Sequence, residues 1–105
     1  MLAVTAAAAP VQPTSDFFVN DYAGVLSDST KNFIMDKSAS LAQQTKAQIV
    51  VLTVKDLSGM DRDSYALSVA RDWGIGDKAL NNGVLILLSL DGNVKVEVGY
   101  GLEGA

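Results

Sequence analysis

The apolar positions of this chain follow a helical period first, then a strand's, and then repeat that alternation. Across Asp28–Thr45, Phe33, Ile34, Leu41 and Ala42 recur at spacings that share one helix face, with Ser38 in its middle. Ser27 stands where a helix N-cap belongs, and Asp28 puts a negative charge in the first turn, where the helix dipole favours it. Gln48–Val54 (QIVVLTV) is a nearly continuous β-branched run, the pattern of a strand covered on both faces. Asp56 to Gly59 reads as a loop. Asp61 or Asp63 can cap a second helix that runs to about Trp73, with Tyr65, Ala66, Val69, Ala70 and Trp73 as its apolar stripe and Gly74 just past its end. Leu85–Leu88 is a short apolar run, Asp91-Gly92 is a hairpin turn, and Val94, Val96 and Val98 alternate with Lys95 and Glu97 as in a half-covered strand. Strand, helix and strand within so short a stretch make a βαβ unit with parallel strands, to which the hairpin adds an antiparallel one. The predicted fold is α/β: a small mixed β-sheet layered with helices.

A hairpin brings its two outer ends together. The loop before Gly83 and the loop after Val98 are therefore expected to be neighbours, and they hold Asp77, Lys78, Asn81, Asn82, Tyr100 and Glu103. Asp77, Asn81, Asn82 and Glu103 offer carboxylate and amide oxygens of the kind that Ca²⁺ or Mg²⁺ takes. The competing reading makes Asn81 and Asn82 turn residues that satisfy backbone groups. Gly99–Gly104 spells GxGxxG, but it follows the second arm of a hairpin instead of a parallel strand, and Glu103 would stand beside the phosphates. No nucleotide is expected there.

Composition narrows the chemistry further. The 105 residues suit one small domain, and 49% hydrophobic with 19% charged is globular. A formal charge of −4 with no cluster of Lys and Arg argues against nucleic acid and towards cations or basic surfaces. There is no histidine and no cysteine, so a Ser-His-Asp triad, a thiolate nucleophile and a zinc-thiolate site are all excluded within the chain. Residues 1–15 (MLAVTAAAAPVQPTS) are small, apolar and uncharged. They resemble the tail of a signal peptide, lack its basic start, and are too short to span a bilayer. They are expected to be a disordered leader, with the domain occupying 16–105.

The blocks FVNDYAGVLS, AQIVVLTV, RDWGIG, NNGVLILL and VEVGYGLEG, in that order, resemble the TPM domain family of bacterial envelope and thylakoid-lumen proteins. The resemblance implies an α/β/α sandwich, usually exported and often anchored by a membrane span outside the domain. It implies divalent-cation binding in some members and weak acid-phosphatase activity in some. By similarity, the functional positions fall on Asp21, Asn81, Asn82 and Glu103. Read from its own surroundings, Asp21 has an alternative role, bracing the loop before the first helix through backbone N–H groups. The chain departs from the family at Lys46, where a glycine usually follows the first helix. It also stops where the family continues with a further helix, so a fragment lacking its C-terminal helix or helices is expected.

The expected function is an exported, divalent-cation-binding interaction domain with Asp21, Asp77, Asn81, Asn82 and Glu103 as metal ligands or their supports. It would act as a monomer on an envelope or membrane protein partner. A metal-dependent phosphatase-like hydrolase and a partner-binding module without a small ligand are the alternatives.

Overall fold

A computed structural model describes residues 10–75, 82–92 and 94–98. The elements run β1 (Val19–Asp21), α1 (Asp28–Thr45), β2 (Gln48–Val54), α2 (Arg62–Asp72), β3 (Gly83–Ser89) and β4 (Val94–Val98). They form one sheet in the order β1-β2-β3-β4, with β1, β2 and β3 parallel and β4 antiparallel to β3. The mixed α/β architecture expected from the sequence is present, with one strand more than the apolar pattern disclosed. Val19–Asp21 has no strand period of its own. It becomes a strand by pairing with Val51–Thr53.

The helix ends follow their local chemistry. The Ser27 side chain accepts from the Thr30 N–H at the start of α1, and Asp61 accepts from the Ser64 N–H at the start of α2. Lys46 takes the left-handed conformation at φ 65° that a glycine would adopt more cheaply, and its N–H still reaches the Ala42 carbonyl at 2.8 Å. The non-glycine residue therefore changes the cost of the cap and not its geometry.

Strand register sorts the side chains onto two faces. On one, Val50, Leu52 and Val54 stand beside Leu85, Leu87 and Ser89, and the apolar members pack with Leu57 and with Tyr65, Ala66, Val69 and Trp73 of α2. Val50, Leu52, Leu85 and Leu87 are fully sealed, each leucine contributing about 1.5–3 kcal/mol of burial. The Ser89 hydroxyl lies at the end of this face, buried and without a hydrogen-bond partner among the described residues. On the opposite face lie Asp21, Val51, Thr53, Val84, Ile86 and Leu88. Helix α1 covers this face over β1 and β2 and α2 packs on β3 and β4, so the layers are α/β/α. Within α1 the inward stripe is Ile34, Ser38, Leu41 and Ala42, as expected. Phe33 is 63% exposed and carries the Lys37 ammonium over its ring, because one residue along a helix turns the side chain by about 100° off that stripe.

The fold begins earlier than residue 16. Trp73 Nε1 donates to the Val11 carbonyl at 3.0 Å, the Tyr22 hydroxyl donates to the Gln12 carbonyl, and Val11, Phe17 and Phe18 pack against the core. Residues 10–18 thus form a strap on the α2 side of the sheet. Small uncharged residues gave no warning of this, since the strap is tied largely through backbone carbonyls. Phe17 sits at φ 58°, a strained position for a side chain of its size. Ring contacts to Phe18 and Trp73, with centroids 5.7 and 6.4 Å apart, offset that strain.

Candidate functional site

The parallel strands give the sheet two rims. At the carboxyl rim Asp21 is level with Thr53, which is level with Leu88. At the amino rim Gln48 is level with Gly83. Five residues of strand separate Thr53 from Gln48, roughly 16 Å. Asn82, which precedes Gly83, therefore lies at the opposite end of the sheet from Asp21, and the two cannot ligate one ion.

Asp21 is a junction of the fold. Its side chain is only 4% exposed. Oδ1 accepts from the Val25 N–H at 3.0 Å and from the Thr53 hydroxyl at 2.6 Å; Oδ2 accepts from the Leu26 N–H at 3.1 Å and faces the Lys31 ammonium at 3.6 Å. Thr53 Oγ1 also accepts from the Ala23 N–H. The loop between β1 and α1 is thereby bolted to β2. Burial works against the carboxylate's charge. Hydrogen bonds from Thr53, Val25 and Leu26, helped by Lys31, outweigh it and hold the group down at about 2. Both oxygens are engaged and a cation already stands beside them. The reading of Asp21 as a loop brace accounts for every contact it makes, and the ligand reading accounts for none.

Asn82 also does structural work. It is 8% exposed, its amide donates to the Thr45 carbonyl at 3.4 Å, and its own carbonyl accepts from the Gln48 N–H. It ties the carbonyl end of α1 to the start of β2, filling one of the acceptor positions that a helix terminus leaves open. That amide bond satisfies the backbone of another element. Asp77, Asn81 and Glu103 lie outside the described residues. Among the described residues no three of His, Cys, Asp and Glu converge on a metal position. Val98 pairs with Val84, so the chain leaves β4 at the rim that carries Asn82.

A residue unremarked in the sequence holds the best-satisfied polar position. Asn20 is completely buried. Its amide donates to the Phe17 carbonyl at 2.6 Å and the Val51 carbonyl at 3.2 Å, and its oxygen accepts from the Thr14 N–H and hydroxyl at 2.8 and 2.9 Å. The only signal for it was an Asn one position before Asp21, on the opposite side of a short strand. An open groove of about 390 Å³ lies over the start of α2, lined by Leu57, Met60, Asp61, Arg62 and Asp63. Its charges are spoken for: Asp61 caps the helix, and Asp63 faces both Arg62 and Lys95.

The surface that stands open is apolar. Burial along β3 alternates strictly, with Gly83, Leu85, Leu87 and Ser89 buried and Val84, Ile86 and Leu88 half-exposed. An interior strand of a three-layer sheet is ordinarily covered on both faces. Here α2 packs on β3 and β4 on one side, the strap and α1 cover β1 and β2, and no described helix is seated on the α1-side face of β3. Ile34, Met35 and Leu41 of α1 are likewise only half-buried.

The family model described as the TPM domain matches residues 19–105. The solution NMR structure of the N-terminal domain of a protein from P. gingivalis superposes with a TM-score of 0.75 at 33% identity, over 86% of this chain. The chain spans 58% of the length of that structure. No curated protein matches the chain.

Proposed function

The chain belongs to the TPM domain family, and on that footing we propose that it is a partner-docking domain working outside the cytoplasm, whose docking surface is centred on the half-exposed apolar face of β3. The observation that carries this reading is the half-exposed row Val84, Ile86 and Leu88 on an interior strand. Two strands at about 4.8 Å spacing make a strip close to the ~10 Å width of one helix. Helices α1 and α2 each cover such a two-strand strip elsewhere on the sheet. The fourth strip therefore suits one apolar-faced helix seated alongside α1, and the docking reading takes that helix from a protein partner. The Ala-rich leader supports the extracytoplasmic location.

The face has a direct test. The folded chain is expected to enhance the fluorescence of the apolar dye ANS while melting cooperatively. Replacing Ile86→Thr and Leu88→Thr together should reduce that enhancement by about half or more without loss of far-UV circular dichroism. Absence of enhancement, or enhancement indifferent to these substitutions, would remove the docking face.

A second reading keeps a divalent cation, Ca²⁺ or Mg²⁺, at the amino rim. It is supported by the register that returns β4 to Asn82, and it confines the ligands to Asp77, Asn81 and Glu103, with Asn82 as their support. Titrating each metal to about 10 mM, well above the roughly 0.1–1 mM dissociation constants of extracellular calcium modules, should then move the Gly83 and Val84 amide resonances saturably. Resonances there that stay fixed would end this reading. The hydrolase alternative draws no support from Asp21, whose low proton affinity and fully used oxygens leave it neither an acid nor a free nucleophile.

A further inference from the structure

The two edges of the sheet are finished differently. In a parallel pair alternate residues bond to the neighbour. Val51 N–H takes the Phe18 carbonyl, so Val19 and Asp21 turn their backbone groups outward. Both outward carbonyls are occupied: Val19 O accepts from the Thr14 hydroxyl at 3.1 Å, and Asp21 O from the Gly24 N–H at 3.2 Å. The β1 edge is three residues long and closed by the chain's own strap and loop, a device that blocks strand addition. At the other edge β4 is a regular five-residue strand, and no described strand lies on its outer side.

The sequence of that edge is Val-Lys-Val-Glu-Val, and it is complementary to itself in one arrangement. Set antiparallel to a copy about Val96, Lys95 faces Glu97 of the copy and Glu97 faces its Lys95. A two-residue slip in either direction sets Lys95 against Lys95 or Glu97 against Glu97. Parallel pairing in register does both. Opposite charges directly across an antiparallel pair stabilise it and like charges oppose it.

From this closed edge and this charge pattern we propose that β4 is a self-association edge, through which two copies of the chain join antiparallel about Val96 into one continuous sheet. The symmetry is that of an isologous contact, each copy giving the other the same residues. Lys95 is already oriented: its ammonium lies 3.3 Å from Asp63 of α2, and its side chain keeps 31% of its surface. In this register the second copy's Glu97 position is level with Lys95. This pair departs from the single copy expected from the sequence. The contact uses the sheet edge and not the apolar face, so it stands or falls independently of the docking reading.

Sedimentation equilibrium of the chain at about 10–500 µM and low salt should show a monomer–dimer equilibrium that weakens as salt is raised, since the charge pairs are accessible to solvent. Glu97→Lys sets Lys against Lys twice while sparing the Lys95–Asp63 pair, and should weaken dimerisation about thirty-fold. Lys95→Glu should do the same. The double exchange Lys95→Glu with Glu97→Lys restores opposite signs and should restore association to near the original strength. Circular dichroism of each variant reports that the fold is intact. A monomer throughout the concentration range, or single reversals that dimerise as the parent does, would overturn the proposal. A double exchange as weak as the single ones would also overturn it, because the registered charge pairs would then not be what joins the copies.

Discussion

Asn20→Ala is expected to cost about 3–4 kcal/mol of folding stability and to lower the melting temperature by roughly 15 °C or more. The side chain is completely buried and makes four hydrogen bonds, two given and two received. Truncation leaves the Phe17 carbonyl and the Thr14 N–H without their partner in a part-buried place, and such groups cost much of their desolvation. It also frees the strap, whose Val11 and Phe17 contribute to the covering of Trp73. Asn20→Asp should be at least as damaging, because it turns a carboxylate toward the Phe17 and Val51 carbonyls that the amide now serves. Urea unfolding with an unchanged m-value reads the loss as a shift in midpoint. A cost below about 1 kcal/mol would mean that the strap is not held through Asn20.

Asp21→Ala is expected to cost about 2–3 kcal/mol, by removing the acceptor of the Val25 and Leu26 N–H groups and of the Thr53 hydroxyl. The pH dependence has a definite sign. The carboxyl is held at about 2 in the folded chain against an ordinary 3.8, so its charge favours the folded state. That contribution is complete above pH 3.8 and disappears as the pH falls towards 2. With Lys31 partly in solvent and the pair screened accordingly, it amounts to about 1–2 kcal/mol. The parent should therefore lose that much between those limits relative to Asp21→Asn, which has no carboxyl at the position. Parallel acid denaturation curves for the two would contradict the brace.

The helices and the two long strands were legible because their signals are local. Ser27 and Asp61 cap helices through side chains that reach only three residues ahead, and Tyr65, Val69 and Trp73 keep helical spacing. Strand β1 was not legible, since three residues cannot display a period and its pairing partner lies thirty-odd residues away in the sequence. The strap escaped for a related reason: the bonds from Trp73 and Tyr22 end on backbone carbonyls, which every residue possesses. Phe33 shows the limit of spacing arguments, because Phe33 and Ile34 are both apolar and only packing selects which of two adjacent residues faces the sheet.

The candidate site was legible as a set of residue types and not as a place. Oxygen-bearing side chains near glycines suit a cation and suit the backbone equally well, and burial decides between them. Asp21 and Asn82 were singled out as metal ligands, and the structure uses the Asp21 oxygens to hold loop to strand and the Asn82 amide to hold helix to strand. Their separation at opposite rims follows from the parallel pairing of β1 with β2, because the sequence disclosed the parallel pair β2 and β3 but not the strand that carries Asp21. The open apolar face was hidden because Val84, Ile86 and Leu88 read in the sequence as ordinary strand residues. Their half-exposure depends on what does not lie above them.

The central claim is that Asp21 is a charged brace of the fold and not a metal ligand. It is tested most directly by following the Asp21 carboxyl carbon resonance through an acid titration, with and without calcium at about 10 mM. The expected result is a carboxyl that stays ionised until the pH nears 2 and whose titration is the same in both series. A midpoint at the ordinary 3.8, or a calcium-dependent displacement of the curve that saturates, would contradict it.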